Sequence, residues 1–161
     1  MCGILGKVDF KKSVNINDFN KSLDMIKHRG PDVANVIEVP QGYFGHQRLS
    51  ILDLSKNADQ PMHSNDGRYI IIYNGEIYNY KYLKKILSKD TKNWKSASDT
   101  EVVLKAYEKW GVNCLNKFEG MFAFVIWDKL EKKIFGARDR MGVKPFYYYD
   151  KDKSFTFASR P

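Results

Sequence analysis

The spacing of apolar residues changes several times along the chain, and each spacing predicts a type of secondary structure. Short alternating or continuous apolar runs predict strands. The predicted strands are 2–8, 34–39, 43–49, 68–73, 122–128, 133–138, 146–150 and 154–158. Because strands and helices do not strictly alternate, the pattern favours an α+β layered domain with largely antiparallel sheets.

Helices are predicted where apolar residues recur every three or four positions. Their predicted limits are Asn17 to about Lys27, Asn79 to Leu87, and Ser98 to Gly111. The third would begin with a capping box, in which Ser98 and Glu101 each bond the backbone N–H of the other. Gly111 would end it, since glycine accepts the backbone conformation that closes a helix.

The dipeptide Asn74-Gly75 predicts a turn, because Asn-Gly is the strongest short signal for a two-residue hairpin. We therefore expect the chain to reverse there and to return as a short strand over 76–78. The polar stretch 53–66, which contains Pro61, is expected to be a loop.

Composition limits the class of protein. With 161 residues, of which 43% are apolar and 29% charged, one globular domain is expected. No apolar run approaches the roughly 20 residues that cross a bilayer, and the first residues lack a signal peptide's basic start. We expect a cytoplasmic protein with no membrane partner. The net charge of +8 suggests nucleic acid, but the lysines are scattered without clusters among aromatics, so no nucleic-acid partner is expected.

Cysteine and histidine usage narrows the chemistry. Two cysteines do not make a disulfide framework, and the three histidines lack the spacing of metal ligands, so no metal site is expected. Cys114 lies among apolar residues and is expected to be a small buried side chain. Cys2 is unusual because it stands in second position and precedes a glycine.

Removal of Met1 would leave Cys2 with both a thiol and a free α-amino group. An α-amine titrates near pH 8, so a part of it is neutral at pH 7 and accepts a proton while the thiol attacks. A bridging water would carry the proton, since direct transfer within one residue is poorly angled. A retained Met1 would turn the amine into an amide and inactivate the protein. The alternative is that Cys2 is only a small residue starting a strand.

Seven segments of the chain together resemble the class II glutamine amidotransferases. They are CGILG (2–6), HRGPD (28–32), GHQRLSI (45–51), YNGEIYN (73–79), SDTEV (98–102), FEGMFAF (118–124) and ARDRMGVKPFY (137–147). They follow the family's order and cover essentially the whole chain. Within that class the motifs are most similar to the glutaminase domain of glutamine-dependent asparagine synthetase.

The resemblance implies a four-layer αββα N-terminal-nucleophile sandwich with two mainly antiparallel sheets. It also implies hydrolysis of the L-glutamine side-chain amide through a cysteinyl thioester to glutamate and ammonia. Residues 1–161 would form one glutaminase domain, and the synthetase domain that makes asparagine from aspartate would be absent from this chain. No cofactor is expected here, since ATP and Mg²⁺ would belong to that second domain.

The same resemblance assigns three catalytic positions. Cys2 would be the nucleophile, and the Asn74 side-chain amide with the Gly75 backbone N–H would form the oxyanion hole. A tetrahedral oxyanion needs two preorganised donors, which this pair of residues offers. The alternative for Asn74-Gly75 is an ordinary hairpin turn.

Substrate binding is assigned by the resemblance as well. Arg48 would bind the substrate α-carboxylate, a task suited to a planar cation, and Asp99 would bind the α-ammonium. Glu76 and the backbone around Leu49 and Ile51 would complete the substrate shell. The alternatives are a surface ion pair for Arg48 and a favourable acid in the first helical turn for Asp99.

Four further segments receive provisional roles. Residues 28–32 and 50–62 are expected to shape or cover the pocket, or else to be a helix stop and a surface loop. The segment 138–140 is expected to form structural ion pairs, and Lys144-Pro145 is expected to form a turn.

Other functions stay open at this level. A cysteine-protease arrangement would need a histidine base, for which His46 is the one plausible candidate. An inactive regulatory module and an amidase for another amide are further alternatives. The expected partners are L-glutamine and an ATP-dependent synthetase domain or subunit that receives ammonia. A homodimer and the identity of the ammonia acceptor, aspartate or a sugar or another carboxylate, are undecided.

Overall fold

A computed structural model describes residues 1–161 and contains nine strands and three α-helices. The strands are β1 (Gly3–Asp9), β2 (Val33–Val39), β3 (Gly42–Arg48), β4 (Met62–His63), β5 (Tyr69–Ile77), β6 (Gly120–Asp128), β7 (Lys133–Arg138), β8 (Tyr147–Lys151) and β9 (Ser154–Ala158). The helices are α1 (Ile16–Asp24), α2 (Tyr80–Leu87) and α3 (Asp99–Trp110). Short 3₁₀ helices cover Lys27–Arg29, Lys56–Ala58 and Gly111–Lys117. None of the helices has the length and apolar character needed to span a bilayer.

The strands form two sheets in which every neighbouring pair is antiparallel. The first sheet has the order β2-β3-β1-β9-β8 and the second has the order β4-β5-β6-β7. β1 is the central strand of the first sheet, so Cys2 lies where that strand enters the core. The antiparallel sheets of the predicted fold class are confirmed.

Alternating side chains divide the interior into three apolar layers. The layer between the sheets includes Ile4, Val8, Phe44, Ile70, Ile72, Val125, Trp127 and Phe157. Neighbouring residues of β5 and β6 point to the opposite face, where Ile71, Tyr73, Phe124 and Ile126 pack with residues of α2 and α3. Phe19 and Leu23 of α1 pack on the outer face of the first sheet, against Leu5. The result is the predicted four-layer αββα sandwich.

The predicted turn at Asn74-Gly75 is wrong. Both residues lie inside β5, which runs unbroken to Ile77 and pairs with β6 along its whole length. The glycine serves a close approach of strands instead, since a Cβ on Gly75 would lie 2.5 Å from the carbonyl oxygen of Met121. Pairing along the strand therefore overrides the local turn preference.

The first helix begins earlier than predicted. Asn15 caps it in place of Asn17, because the Asn15 side-chain oxygen accepts from the N–H groups of Asn17 and Asp18 over 2.8 and 3.2 Å. The helix also ends earlier, at Asp24, and Lys27 belongs to the separate 3₁₀ turn. The segment Val14-Asn15-Ile16-Asn17 contains two possible caps, so sequence alone did not separate them.

The predicted capping box at the start of α3 is also wrong. Ser98 occupies the N-cap position, but its hydroxyl bonds to the hydroxyl of Ser96 and caps no backbone N–H. The Glu101 carboxylate accepts from the backbone N–H groups of Lys95 and Ser96. Both side chains therefore fix the segment that leads into α3.

The loop between β7 and β8 is braced by backbone contacts, and the ion pairs predicted for 138–140 are absent from it. Arg138 Nε donates to the Lys144 carbonyl oxygen over 2.6 Å. The Asp139 carboxylate accepts from the N–H groups of Phe122, Val143 and Lys144. These contacts turn the chain so that Lys144 returns towards the interior.

Candidate active site

All eight residues that the sequence proposes for the site line one cavity of about 180 Å³. They are Cys2, Arg48, Leu49, Ile51, Asn74, Gly75, Glu76 and Asp99. The cavity lies beside the start of β1, the end of β3, the second half of β5 and the first turn of α3. Its volume is below the roughly 300–1,000 Å³ of pockets for drug-sized ligands, which suits a small metabolite.

The Cys2 thiol lies against the backbone of Leu49. The Leu49 N–H donates to Cys2 Sγ over 3.4 Å, and Sγ lies 3.7 Å from the Leu49 carbonyl oxygen, to which it can donate. Burial raises the pKa of the Cys2 thiol, whereas the Leu49 N–H and the positive charges of the N-terminus and Arg48 oppose that rise. Leu49 thus contacts the thiol directly with its backbone.

The main chain at Cys2 is held in place by two neighbours in space. Arg29 Nε donates to the Cys2 carbonyl oxygen over 3.1 Å. Two residues on, the Ile4 N–H donates to Ser159 Oγ over 3.0 Å, and the Ser159 N–H donates back to the Ile4 carbonyl oxygen over 2.9 Å. Arg29 lies in the segment 28–32, which therefore orients the start of β1.

The loop that follows β3 covers one side of the cavity. Asp32 Oδ2 accepts from the Ser50 N–H over 2.7 Å, which ties the segment 28–32 to this loop. Leu52, Ala58 and Gln60 add to the lining. The segment 50–62 thus lines the pocket as predicted, whereas 28–32 supplies no lining residue and acts through its bonds to Cys2 and Ser50.

Asn74 presents a buried amide with no partner in the protein. The residue is 1% exposed, and its Nδ2 donates no hydrogen bond. Leaving such a donor unpaired costs roughly 1–3 kcal/mol, so buried orphans are uncommon in folded proteins. An orphan amide that borders a cavity is available to an acceptor on a ligand.

The Gly75 N–H points away from β6. Gly75 lies opposite Phe122, whose own N–H and carbonyl group bond to Asp139 instead of β5. In an antiparallel ladder this makes Gly75 a non-hydrogen-bonded position, with its N–H on the far edge of the strand. Tyr73 and Ile77 share that edge, where their N–H groups donate to the side chains of other segments. The Gly75 N–H between them faces the cavity.

The Arg48 guanidinium holds the loop between β3 and β4. Nη1 donates to the Ser55 carbonyl oxygen over 3.1 Å and to Asp59 Oδ1 over 2.5 Å. Nη2 bonds to the carbonyl oxygens of Leu52 and Asp53. The Arg48 side chain is 6% exposed and that of Asp59 is 24% exposed, so the ion pair named as the alternative exists, but its arginine is buried and not on the surface.

Asp99 is the first residue of α3 and is 4% exposed. Its Oδ2 accepts from the Tyr73 hydroxyl over 2.6 Å and from the Ile77 N–H over 3.0 Å. Burial raises the pKa of the Asp99 carboxyl, and these two donors oppose the rise. The acid therefore does more than favour the helix N-terminus, because it is built into the wall of the cavity.

Lys144 is a cavity residue that sequence reasoning missed. It was expected only in a turn, yet it is 4% exposed and lines the cavity together with Glu76. Burial lowers the pKa of the Lys144 ammonium, and the negative charge of Glu76 opposes this. Lys144 belongs to the motif 137–147 in the sequence, but only the folded loop after β7 places its side chain in the cavity.

His46 does not form a base for the thiol. Its Nε2 lies 3.1 Å from the Tyr73 carbonyl oxygen, and complete burial lowers the pKa of the imidazole to about 4. The ring thus links the two sheets, and no hydrogen bond joins it to Cys2. The other cysteine, Cys114, is buried in the α2 and α3 layer as expected, and burial raises its pKa to about 12.

Comparisons with known proteins agree with this geometry. Residues 1–161 match the family described as "Glutamine amidotransferase domain". The chain is 42% identical to "Asparagine synthetase [glutamine-hydrolyzing] 3" and 39% identical to "Asparagine synthetase [glutamine-hydrolyzing] 1", both from Bacillus subtilis. Each match covers 99% of this chain and 26% of the relative. The chain thus spans about a quarter of the length of these curated relatives.

Among solved structures, a glutamine phosphoribosylpyrophosphate amidotransferase from Bacillus subtilis is similar in fold. The TM-score is 0.83 at 20% identity, and the match covers 98% of this chain and 42% of that chain. At this identity the likeness supports the fold alone. The family match over the whole length, the predicted motifs and the shared fold agree, and the chain belongs to the glutamine amidotransferase family.

Proposed function

We propose that this chain hydrolyses the side-chain amide of L-glutamine to glutamate and ammonia. The proposal rests on one observation, which is that three kinds of chemical group line the same cavity. They are the Cys2 thiol, the unpartnered Asn74 amide, and the buried charges of Arg48 and Asp99. A thiol supplies a nucleophile, an orphan amide supplies an oxyanion donor, and two opposite charges suit a free amino acid.

In the proposed reaction, removal of Met1 frees the α-amine of Cys2. The amine takes the thiol proton through a water, and Sγ attacks the amide carbon of glutamine. Negative charge then develops on the amide oxygen, where Asn74 Nδ2 and the Gly75 N–H donate to it. The protonated amine returns its proton to the leaving nitrogen, and ammonia departs from a γ-glutamyl thioester.

Water completes the reaction. The amine, again neutral, removes a proton from a water that attacks the thioester carbon. The same two donors stabilise the second oxyanion, the carbon–sulfur bond breaks, and the ammonium gives its proton to the departing Sγ. Glutamate then leaves, and Cys2 is restored as a thiol with a neutral amine. No cofactor is needed for these steps, and none is proposed for residues 1–161.

Substrate selection follows from the two charges. We assign the α-carboxylate of glutamine to Arg48 Nε, the guanidinium nitrogen that the loop after β3 does not engage, and the α-ammonium to Asp99. Glu76 and the backbone at Ile51 complete the contacts. Asparagine is one methylene shorter, so its amide would fall short of Sγ by about the 1.5 Å of one carbon–carbon bond. A misplacement of that size costs roughly 100-fold in rate.

We further propose that the ammonia serves an ATP-dependent synthetase domain or subunit that converts aspartate to asparagine in the cytoplasm. The names of the relatives support this destination, since both are glutamine-hydrolysing asparagine synthetases. ATP and Mg²⁺ would act in that partner.

The test is a glutaminase assay on protein whose N-terminal residue is established by mass spectrometry. Protein that begins at Cys2 should release glutamate and ammonia in equal amounts. Protein produced under methionine aminopeptidase inhibition, and so retaining Met1, should be inactive, as should Cys2→Ala and Cys2→Ser. Cys114→Ala is the matched control and should keep its activity, since Cys114 is buried in the helix-facing core.

Full glutaminase activity in Cys2→Ala would contradict the nucleophile assignment. Hydrolysis of asparagine or a simple primary amide as fast as glutamine would favour a general amidase and contradict the roles of Arg48 and Asp99.

A further inference from the structure

Asp99 is held by a hydroxyl that the proposed reaction does not use. The Tyr73 hydroxyl donates to Asp99 Oδ2 over 2.6 Å, and the Ile77 N–H donates to the same oxygen over 3.0 Å. Tyr73 is 2% exposed, and its side chain packs in the helix-facing core. Both donors belong to β5, so the strand that carries Asn74 and Gly75 also sets the position of Asp99.

One oxygen of this carboxylate is left for a ligand. The two donors converge on Oδ2, whereas Oδ1 accepts no hydrogen bond from another residue. The N-terminus of α3 favours the negative charge of its first residue. An ammonium group in the cavity would therefore find Oδ1 as an acceptor.

We propose that Tyr73 is a positioning residue that makes the cavity selective for ligands with an α-ammonium group, by holding the Asp99 carboxylate ionised and in place. The inference rests on the proposed binding of glutamine to Asp99. A buried carboxylate stays ionised only where donors replace the water it has lost. Tyr73 supplies the shorter of the two bonds, and a hydrogen bond to a charged group is worth about tenfold or more in an equilibrium.

The groups around Asp99 also indicate that Tyr73 is the main donor that favours its ionised form. Burial raises the pKa of Asp99, and the Tyr73 hydroxyl is the strongest influence that lowers it, ahead of the Ile77 N–H, while Glu76 raises it further. The other titratable or charged groups that line the cavity are the amino terminus, Cys2 before β1, Arg48 at the end of β3 and Lys144 after β7. None of these donates a hydrogen bond to Asp99, so none replaces the hydroxyl.

The experiment measures binding without turnover, in the Cys2→Ala background. Two ligands are titrated by protein NMR: L-glutamine, and 4-carbamoylbutanoate, which is glutamine without its α-amine. Adding Tyr73→Phe should weaken L-glutamine binding about tenfold at pH 8 and change 4-carbamoylbutanoate binding less than twofold. The pH below which L-glutamine binding is lost should rise by about one unit, because the carboxylate protonates more easily.

Tyr69→Phe is the matched control, since it removes a hydroxyl from the same strand and the same helix-facing layer but outside the cavity. It should alter the affinity for neither ligand. Each Kd is measured at 10 °C on one sample for both ligands, so that partial unfolding cancels from their ratio.

A double-mutant cycle gives a second measurement. In Asp99→Asn, adding Tyr73→Phe should cause no further loss of L-glutamine affinity, because the ionised acceptor is already gone. Equal losses for both ligands, or an unmoved pH dependence, would overturn the positioning role and leave the proposed function intact. Failure of the Cys2→Ala parent itself to bind L-glutamine would instead overturn the proposed function.

Discussion

The two halves of β5 use the same backbone in opposite ways. Residues 69–71 are bonded on both sides, to β6 and to the segment containing β4, and Ile70 and Ile71 are at most 1% exposed. Residues 73–77 pair with β6 alone, because β4 is only two residues long. The first half is ordinary core, and the second half borders the cavity.

The free edge of the second half is where the site arises. There the Tyr73 N–H donates to Gln60 Oε1 over 2.6 Å and the Ile77 N–H donates to Asp99. The Gly75 N–H between them faces the cavity. A strand that lacks a neighbour must satisfy its donors with side chains or with ligands, so a short β4 supplies a binding site without any irregular backbone.

The largest expected effect is a loss of catalytic rate without a loss of folding stability, in a variant of Asn74. Asn74→Ala should lower kcat by roughly 10²–10³, since one oxyanion donor is lost, with a smaller effect on KM. The free energy of unfolding should stay nearly constant, because the amide removed has no partner in the protein. Steady-state kinetics checks the predicted loss of kcat, and urea unfolding of the same preparation checks the unchanged stability. An unchanged kcat would mean that Asn74 serves only the strand.

Ile72→Ala should give the opposite result. Ile72 is completely buried between the sheets, so the substitution should cost about 2–5 kcal/mol of unfolding free energy through lost burial and a cavity. The folded fraction should keep the kcat of the parent. If kcat fell as far as in Asn74→Ala while stability held, the division of β5 into core and site would be wrong.

His46 contacts β5 at Tyr73, between its two halves, and should make the free energy of unfolding depend on pH. His46 bonds the Tyr73 carbonyl group, and its pKa of about 4 lies below the unperturbed value of 6.5. The unfolded chain therefore binds the proton first, and stability should fall as the pH drops from about 6.5 to 4, by about 3 kcal/mol. Urea unfolding across this range should show the loss.

In His46→Asn this part of the pH dependence should vanish, whereas the exposed His28→Asn should keep it. An identical pH dependence in His46→Asn and the unsubstituted protein would contradict the assignment.

The smallest expected effect compares two arginines, Arg48 at the end of β3 in the first sheet and Arg68 just before β5 in the second. Arg48→Ala should raise KM for glutamine about 10- to 100-fold and relax the rejection of analogues without a carboxylate. Arg68→Ala is the matched control, because Arg68 pairs with Asp128 at the far end of β5 and lies outside the cavity. It should leave KM unchanged. Equal rises in both variants would argue against carboxylate binding by Arg48.

Much of this architecture was accessible from local pattern. Strands paired over most of their length, such as β1, β3 and β7, were predicted to within about two residues, because their apolar runs face a packed interior. The eight site residues were also predicted to lie together, and that assignment came from motifs resembling a known family. The errors concentrate at Asn74-Gly75 and at the helix starts, where two local preferences compete.

By itself, then, the sequence determined the layered α+β class, the candidate nucleophile at Cys2 and the segments that would surround it. Tertiary structure alone decided that Asn74-Gly75 continues a strand, that Lys144 returns to the cavity, and that Tyr73 reaches Asp99. The physical reason is the separation along the chain over which each interaction acts. Periodicity and turn preference act over a few residues, whereas the close approach of β6, the two-residue length of β4 and the burial of charge depend on segments that meet only in the folded chain.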